Sequence, residues 1–464
     1  MTTSLFDPKE TSQAPSPGDL IDLTIGELVP GGRGLARIDG RAIFVGGVGP
    51  GEKIRARITR LSKRHGEADL VEILVASPDR ITPPCPFAGP CGGCDLMHMS
   101  GTAQTHIKSV ILGDALRRLA RIDLEAAGLT PIPINSPEPL LGYRHRATLT
   151  IQRHGEEMAL GFMSGGSHAI VDIDHCHVLH PDLDRFMQSI RVKLSEIRNA
   201  SPFLAKLTLI MDDQGHIGCR VILERGSHLP LLRVLESSHD EGTLAWFEVG
   251  GNRTDRIMRG GDVSVFSYRI TADDAGLAVG FHPAGFIQGH LLANRVLVGK
   301  VLEWIAPKPG DQILDLFCGV GNYSLPLARS GARVTGVDED PHVIASARRS
   351  AKGLPGTALS FQESDVSFYL ANALDNGEEP EWVVLNPPRK GAREAMDQVA
   401  ALRPRHILYV SCDPATLARD LVPLIAGGYR LMRVEGVDLY PQTHHVETIT
   451  HLIRNDKSDE GSSL

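Results

Sequence analysis

From residue 276 to about 455 the chain alternates helical stretches with short apolar runs, DQILDLF, ARVTGVD, WVVLNPP and HILYVSC. This alternation limits the fold more than any other feature. Parallel strands must be joined by crossovers, so it predicts a doubly wound parallel α/β sheet. In DQILDLFCGVGNYSLPLA an apolar strand runs into a tight turn on Gly319 and Gly321, and a helix opens near Asn322. Glycines there let the backbone approach a ligand, which such sheets bind at the carboxyl ends of their strands. Asp338 ends the next strand, where a carboxylate can accept hydrogen bonds from ribose hydroxyls. Asp365 follows a third run, LSFQESD, in place to meet an adenine.

The series of glycine turn, acid and acid resembles class I methyltransferases that bind S-adenosylmethionine. A nicotinamide site would want G-x-G-x-x-G, and Ser324 stands at its third glycine. Cys412 follows the run HILYVS, and Glu447 precedes another apolar run in HHVETITHLI. Alone, the first reads as a small buried hydrophobe and the second as a surface carboxylate. Beside a methyl donor they share a chemistry. Carbon 5 of uracil becomes nucleophilic once a thiolate has added to carbon 6, and a base must then remove the carbon-5 proton.

Cys85, Cys91 and Cys94 form C-x5-C-x2-C in CPFAGPCGGC, and Cys176 is a fourth soft ligand further on. Four thiolates suit tetrahedral zinc or a [4Fe-4S] cluster, and His98, His175 and His177 leave a mixed zinc site open. Seven cysteines in 464 residues form no disulfide framework.

The length implies two to four domains. A net charge of −8 argues against a nucleic-acid partner over the chain as a whole. The segment from Asp19 to Arg80 differs, with 10 basic and 9 acidic residues, six of the basic ones between Lys53 and Arg64. Its β-rich runs LIDLTIGEL, GLARI, AIFVGG, KIRARI and ADLVEILVA predict a five-stranded OB-like barrel over 18–78. In KIRARI basic and apolar residues alternate, so a strand there shows one cationic face, read here as facing RNA. Residues 79–275 form a central α+β domain with the cysteine cluster, including a strand in DVSVFSYRI and a helix over 102–120 that packs on the catalytic domain. Residues 276–455 form the catalytic domain, and 1–17 and 456–464 are polar and expected to be disordered. The start carries neither a basic cluster nor an apolar run, which predicts a cytoplasmic protein.

Together with GYRHRATL (142–149), FIQ (286–288), NPPRKG (386–391) and SCDPATLARD, these motifs resemble the RNA uracil-C5 methyltransferase family over nearly the whole chain. The resemblance implies an N-terminal TRAM barrel and a [4Fe-4S] cluster on Cys85, Cys91, Cys94 and Cys176. It implies S-adenosylmethionine contacts at Gln288, Phe317, Asn322, Asp338, Asp365 and Asn386, with Cys412 as nucleophile and Glu447 as base. The substrate it implies is a structured RNA, ribosomal in preference to transfer RNA, flipped towards Cys412 and met by a monomer. Three positions depart from the family: Asn386 stands for an aspartate, Asp338 for a frequent glutamate and Met97 for a glutamine. Asn386-Pro387-Pro388 also matches the core of amino-group methyltransferases, but Arg389 stands where those carry an aromatic. A third reading is an iron-sulfur RNA-binding protein without catalysis; the presence of both Cys412 and Glu447 weighs against it.

Overall fold

A computed structural model describes residues 15–167, 169–197, 201–251, 254–273 and 276–455. The disorder expected for 1–17 and for 456–464 lies outside the described residues, apart from 15–17. Those three enter a turn in which Ser16 N–H donates to the Asp19 carboxylate (2.8 Å). The chain divides into two compact units, Met1–Thr82 with His98–Ser100, and Pro83–Met97 with Gly101–Leu464.

The first unit is a six-stranded sheet rather than five-stranded. Its first run breaks after Leu20–Thr24: at Ile25 to Glu27 the chain leaves the strand Lys53–Leu61 and bonds to Leu35, through Gly26 N–H to Leu35 O and Leu35 N–H to Glu27 O (both 2.9 Å). That crossing closes the barrel and frees Leu28–Val29 to pair with Arg33–Gly34. Ile54, Ala56 and Ile58 are buried, while Lys53, Arg57 and Arg60 face outward. Arg55 is less available than its spacing suggests, because Asp22 takes its guanidinium through two hydrogen bonds (2.8 and 3.1 Å) and Glu72 lies 3.7 Å away. The unit runs past the expected boundary at 78 because the buried Glu52 carboxylate binds Ser77 N–H (3.1 Å) and the Arg80 side chain. Met99 and the ring of His98, which meets Val48 O (3.1 Å), belong to this unit too.

The second unit contains two large sheets, whose strands lie on either side of the boundary expected at 275 except for Ile134–Asn135, which joins the later sheet. One sheet has seven strands, from Ile170–Asp172 at one edge to Thr254–Gly261 at the other, covered by helices Pro181–Glu196 and Leu229–Asp240. DVSVFSYRI is not one strand. Asp262 accepts from Ser264 N–H (2.7 Å), turning Val263–Val265 into a 3-10 helix, and Ser267–Arg269 then pairs with Ala278–Gly280 across residue 275. Phe266 and Tyr268 thereby share a core with Cys318 and Phe361.

The second sheet runs in the order Leu359–Glu363, Arg333–Asp338, Gln312–Leu316, Trp382–Leu385, His406–Ser411, Glu447–Arg454, Tyr429–Val437 and Ile134–Asn135. The first five strands are parallel, as the alternation predicts. Glu447–Arg454 is antiparallel and inserted between His406–Ser411 and Tyr429–Val437. Helix Gly101–Arg118 packs here, burying Leu112, Ala115 and Leu116 against Leu417 and Leu421. No helix among the described residues is long and apolar enough to cross a membrane.

Candidate active site

At the carboxyl ends of the parallel strands lies a cleft of about 600 Å³, within the range of small-molecule sites. One wall is the turn after Gln312–Leu316. Phe317 (φ +59°), Gly319 (φ +55°) and Gly321 (φ +89°) all take left-handed backbone conformations, which only glycine adopts without strain. A Cβ on Gly321 would press on Leu325 (3.0 Å) and Phe361 (3.2 Å), whereas one on Gly319 would meet nothing within 4 Å. The turn is therefore packed on one side and open on the other. Asp338 braces it, one carboxylate oxygen accepting from Gly319 N–H (2.9 Å) and the other from Asp340 N–H (3.0 Å). Burial raises the Asp338 carboxyl above its usual range.

Beneath the turn, Asp315 accepts from Ser324 Oγ and is pushed up to about 7 by burial, which the Ser324 bonds oppose. The helix that opens there is short, Ser324–Arg329. Asn322 lines the cleft, but its amide is engaged in a reciprocal pair with Asn294 (2.9 and 3.0 Å), with Tyr268 OH at 3.4 Å. The sequence marks neither Asn294 nor Tyr268 as a site residue, since nothing local to either shows a partner far along the chain. Asp365 lines the cleft as the N-cap of helix Val366–Asp375, accepting from Phe368 N–H (3.0 Å). Asn386 ends the strand Trp382–Leu385, with its N–H on Leu316 O (3.3 Å). Gln288 is buried at the rim, and its Oε1 has no hydrogen-bond partner among the described residues. A buried acceptor without a donor is costly. With the open face at Gly319 and the Asp338 carboxylate, it fits a nucleoside cofactor that brings its own hydroxyls and amines.

At the far end of the cleft stand Cys412 and Glu447. The antiparallel ladder pairs Ser411 with Thr448, so the next step sets Cys412 against Glu447. A parallel strand there would have carried the carboxylate to the opposite edge of the sheet. Glu447 is buried, which pushes its carboxyl up to about 7, opposed by the Arg389 guanidinium. Cys412 is half-buried, and its thiol is pushed up to about 11, chiefly by burial and then by Glu447, with Arg389 opposing. A charge on the carboxyl therefore adds to the cost that burial already sets on ionising the sulfur. Tyr440 completes this end of the cleft, its hydroxyl raised by burial and by the same carboxylate.

Cys85, Cys91, Cys94 and Cys176 line one small pocket, walled by Phe87, Phe162 and Ile173. Burial raises the thiols of Cys91, Cys94 and Cys176, the last to about 11. Neighbouring sulfurs raise all three further, and Arg144 opposes at Cys94 and Cys176. Among the described residues no three His, Cys, Asp or Glu side chains close on a single ion. Of the histidines considered as ligands, His98 turns to Val48, while His175 and His177 both line the pocket, His175 with its Nδ1 on Asp184.

A glycine turn at the strand ends, an acid on the second strand and a capped third helix define a class I methyltransferase fold. Residues 313–377 match the methyltransferase domain family, 374–455 the tRNA (uracil-5-)-methyltransferase family and 16–71 the TRAM domain family. The chain is 34% identical to the 23S rRNA (uracil(1939)-C(5))-methyltransferase RlmD of Shewanella sp. strain MR-4, across 90% of this chain and 92% of that one. It is also 34% identical to the RlmD of Marinomonas posidonica, across 90% and 91%. In fold it resembles the tRNA (uracil-54, C5)-methyltransferase of Pyrococcus abyssi, solved with S-adenosyl-L-homocysteine, with a TM-score of 0.70 and 24% identity over 93% of this chain and 100% of that one. The chain belongs to the RNA uracil-C5 methyltransferase family.

Proposed function

We propose that this protein methylates carbon 5 of a uridine in 23S rRNA, acting in the cytoplasm as a single chain, with S-adenosylmethionine as donor. The observation that carries this reading is the antiparallel register that sets Glu447 against Cys412 at the end of the cleft. The RNA class rests on the names of the RlmD relatives.

Gln288, the Gly319 turn, Asp338 and Asp365 would hold the cofactor, with Asn386 beside them. Bound there, it supplies an electrophilic methyl group. Cys412 adds as thiolate to carbon 6 of a uracil flipped out of its stack, and the C5–C6 π pair moves towards the carbon-4 oxygen. Carbon 5 then takes the methyl. Glu447, as carboxylate, removes the carbon-5 proton; the C–H pair rebuilds the double bond and expels the Cys412 thiolate. A carboxyl near 7 suits a base that must take and release a proton at neutral pH. An amine-methylating enzyme has no use for either group, so Asn386 alone does not favour that reading.

The four-cysteine pocket would hold a [4Fe-4S] cluster. Its support is the convergence of four thiols on one apolar-walled pocket. The barrel would grip RNA phosphates through Lys53 and Arg57. The deciding experiment uses Glu447→Gln with unmodified 23S rRNA transcribed in vitro. A methylated RNA joined to the enzyme through Cys412, surviving denaturing electrophoresis, is expected. A methyl found on a base amine would overturn the reading.

A further inference from the structure

The nine residues from Asp438 to Val446 lead into Glu447, and they are tied down almost throughout. Lys108, fully buried on the helix Gly101–Arg118, donates to Asp438 Oδ1 (2.6 Å) and Tyr440 O (3.1 Å). Tyr143 OH donates to Pro441 O (2.9 Å). Gln442 has φ +71°, a conformation that persists only where its surroundings enforce it. Here Gln104 Oε1 accepts its N–H (2.8 Å), while its carbonyl accepts from Asp95 N–H (3.1 Å) and Leu96 N–H (2.9 Å). Asp95 follows Cys94 directly, and its carboxylate accepts from His444 N–H (2.8 Å) and meets the His444 ring at Nδ1. The His444 ring lies against His445, centroids 4.2 Å apart, and His445 meets Tyr440 edge-on.

From this geometry we infer that Asp95 and His444 are positioning residues for the base: the carboxylate beside the third cysteine holds the segment that aims Glu447 at the target carbon. The inference rests on the reading that Glu447 removes the carbon-5 proton. The helix and Tyr143 restrain the segment up to Gln442. Beyond that point Asp95 holds both the backbone and the ring of His444, three residues before the base. Neither Asp95 nor His444 lines the cleft. Their loss therefore slows proton removal while leaving attack by Cys412 and methyl transfer intact.

The test follows formation and decay of the covalent enzyme–RNA adduct, with unmodified 23S rRNA transcribed in vitro, full-length protein and S-adenosylmethionine. Asp95→Ala and His444→Ala are each expected to form adduct at the wild-type rate and to release it ~10- to 100-fold more slowly, as for a catalytic group displaced by about 1 Å. Asp95→Asn, which keeps one oxygen for the His444 N–H, should fall between, and the double alanine variant should be no slower than the worse single one. S-adenosylhomocysteine affinity should stay at the wild-type value. Should Asp95→Ala lose iron or fold poorly, His444→Ala carries the test from outside the cysteine loop. Wild-type adduct decay in His444→Ala, or equal slowing of formation and decay, overturns the inference. Glu447→Gln runs alongside: if it accumulates no adduct, the assignment of the base itself has failed.

Discussion

The two thiol sites of this molecule solve opposite problems. In the cysteine pocket four sulfurs share a small volume, and burial together with neighbouring sulfurs opposes ionisation of Cys91, Cys94 and Cys176, with Arg144 the basic side chain that counters it at Cys94 and Cys176. At the catalytic end one sulfur is half-exposed at the edge of an open cleft, with a carboxyl and Arg389 acting on it in opposite directions. Anionic sulfur in the first site requires an added positive centre, so the metal binding proposed there would be coupled to proton release. In the second, a neighbouring acid and Arg389 act on the sulfur in opposite directions on top of its burial. Burial raises the thiol in both places, so what separates the two sites is the set of charges around each sulfur.

Substitution should separate the sites most sharply. Cys412→Ala is expected to lower turnover by on the order of 10⁴-fold or more, as removal of a nucleophile does, with S-adenosylhomocysteine binding and iron content unchanged. Cys94→Ser should do the reverse, giving iron-depleted protein of lower thermal stability that still forms the Cys412 adduct. Equal iron in the two proteins would break the comparison. Next in size, Glu447→Gln should trap the adduct at near-stoichiometric yield, and the added change Cys412→Ala should abolish it.

A smaller effect concerns pH. Because the base must be ionised, adduct resolution should rise with pH around a midpoint of about 7, and that limb should be missing from Glu447→Gln. The sign for stability is the opposite. The folded-state carboxyl is raised above its ordinary value of 4.5, so the native state binds the extra proton. Its contribution is complete below about 4.5 and is lost as pH rises through about 7. Denaturant titrations from pH 4.5 to 7.5 should show a decline that Glu447→Gln flattens. A variant touching neither thiol site gives the smallest change. Lys53→Glu with Arg57→Glu should weaken RNA binding uniformly and lower the salt slope by about one per cation, whereas Arg55→Glu should do less because Asp22 already offsets its charge.

The parallel core, the glycine turn and the placing of Cys412 and Glu447 at strand ends were legible because each is written locally, in paired glycines and in apolar runs with a polar residue at one end. What escaped the sequence depends on partners far apart in the chain. The amide pair Asn294–Asn322, the edge strand Ile134–Asn135 and the ties from Asp95 to the Glu447 segment leave no periodic trace. The hairpin that pairs Ser267–Arg269 with Ala278–Gly280 across 275 escaped for the same reason, since it is short and its apolar residues read equally well for either side. In KIRARI alternation reported burial correctly, but Asp22 and Glu72, which take up Arg55, lie on neighbouring strands.

The inserted strand Glu447–Arg454 also bears on how the chain is made. It is synthesised after every other strand of its sheet, yet it lies inside, between His406–Ser411 and Tyr429–Val437. Until it emerges from the ribosome, both of those neighbours present unpaired backbone to a gap. On the proposed mechanism, Cys412 is in the chain before Glu447, the group that would release it from a substrate. A nascent enzyme that met RNA at that stage could attach itself and not let go, so late insertion puts a premium on keeping the cleft closed to RNA until the sheet is complete.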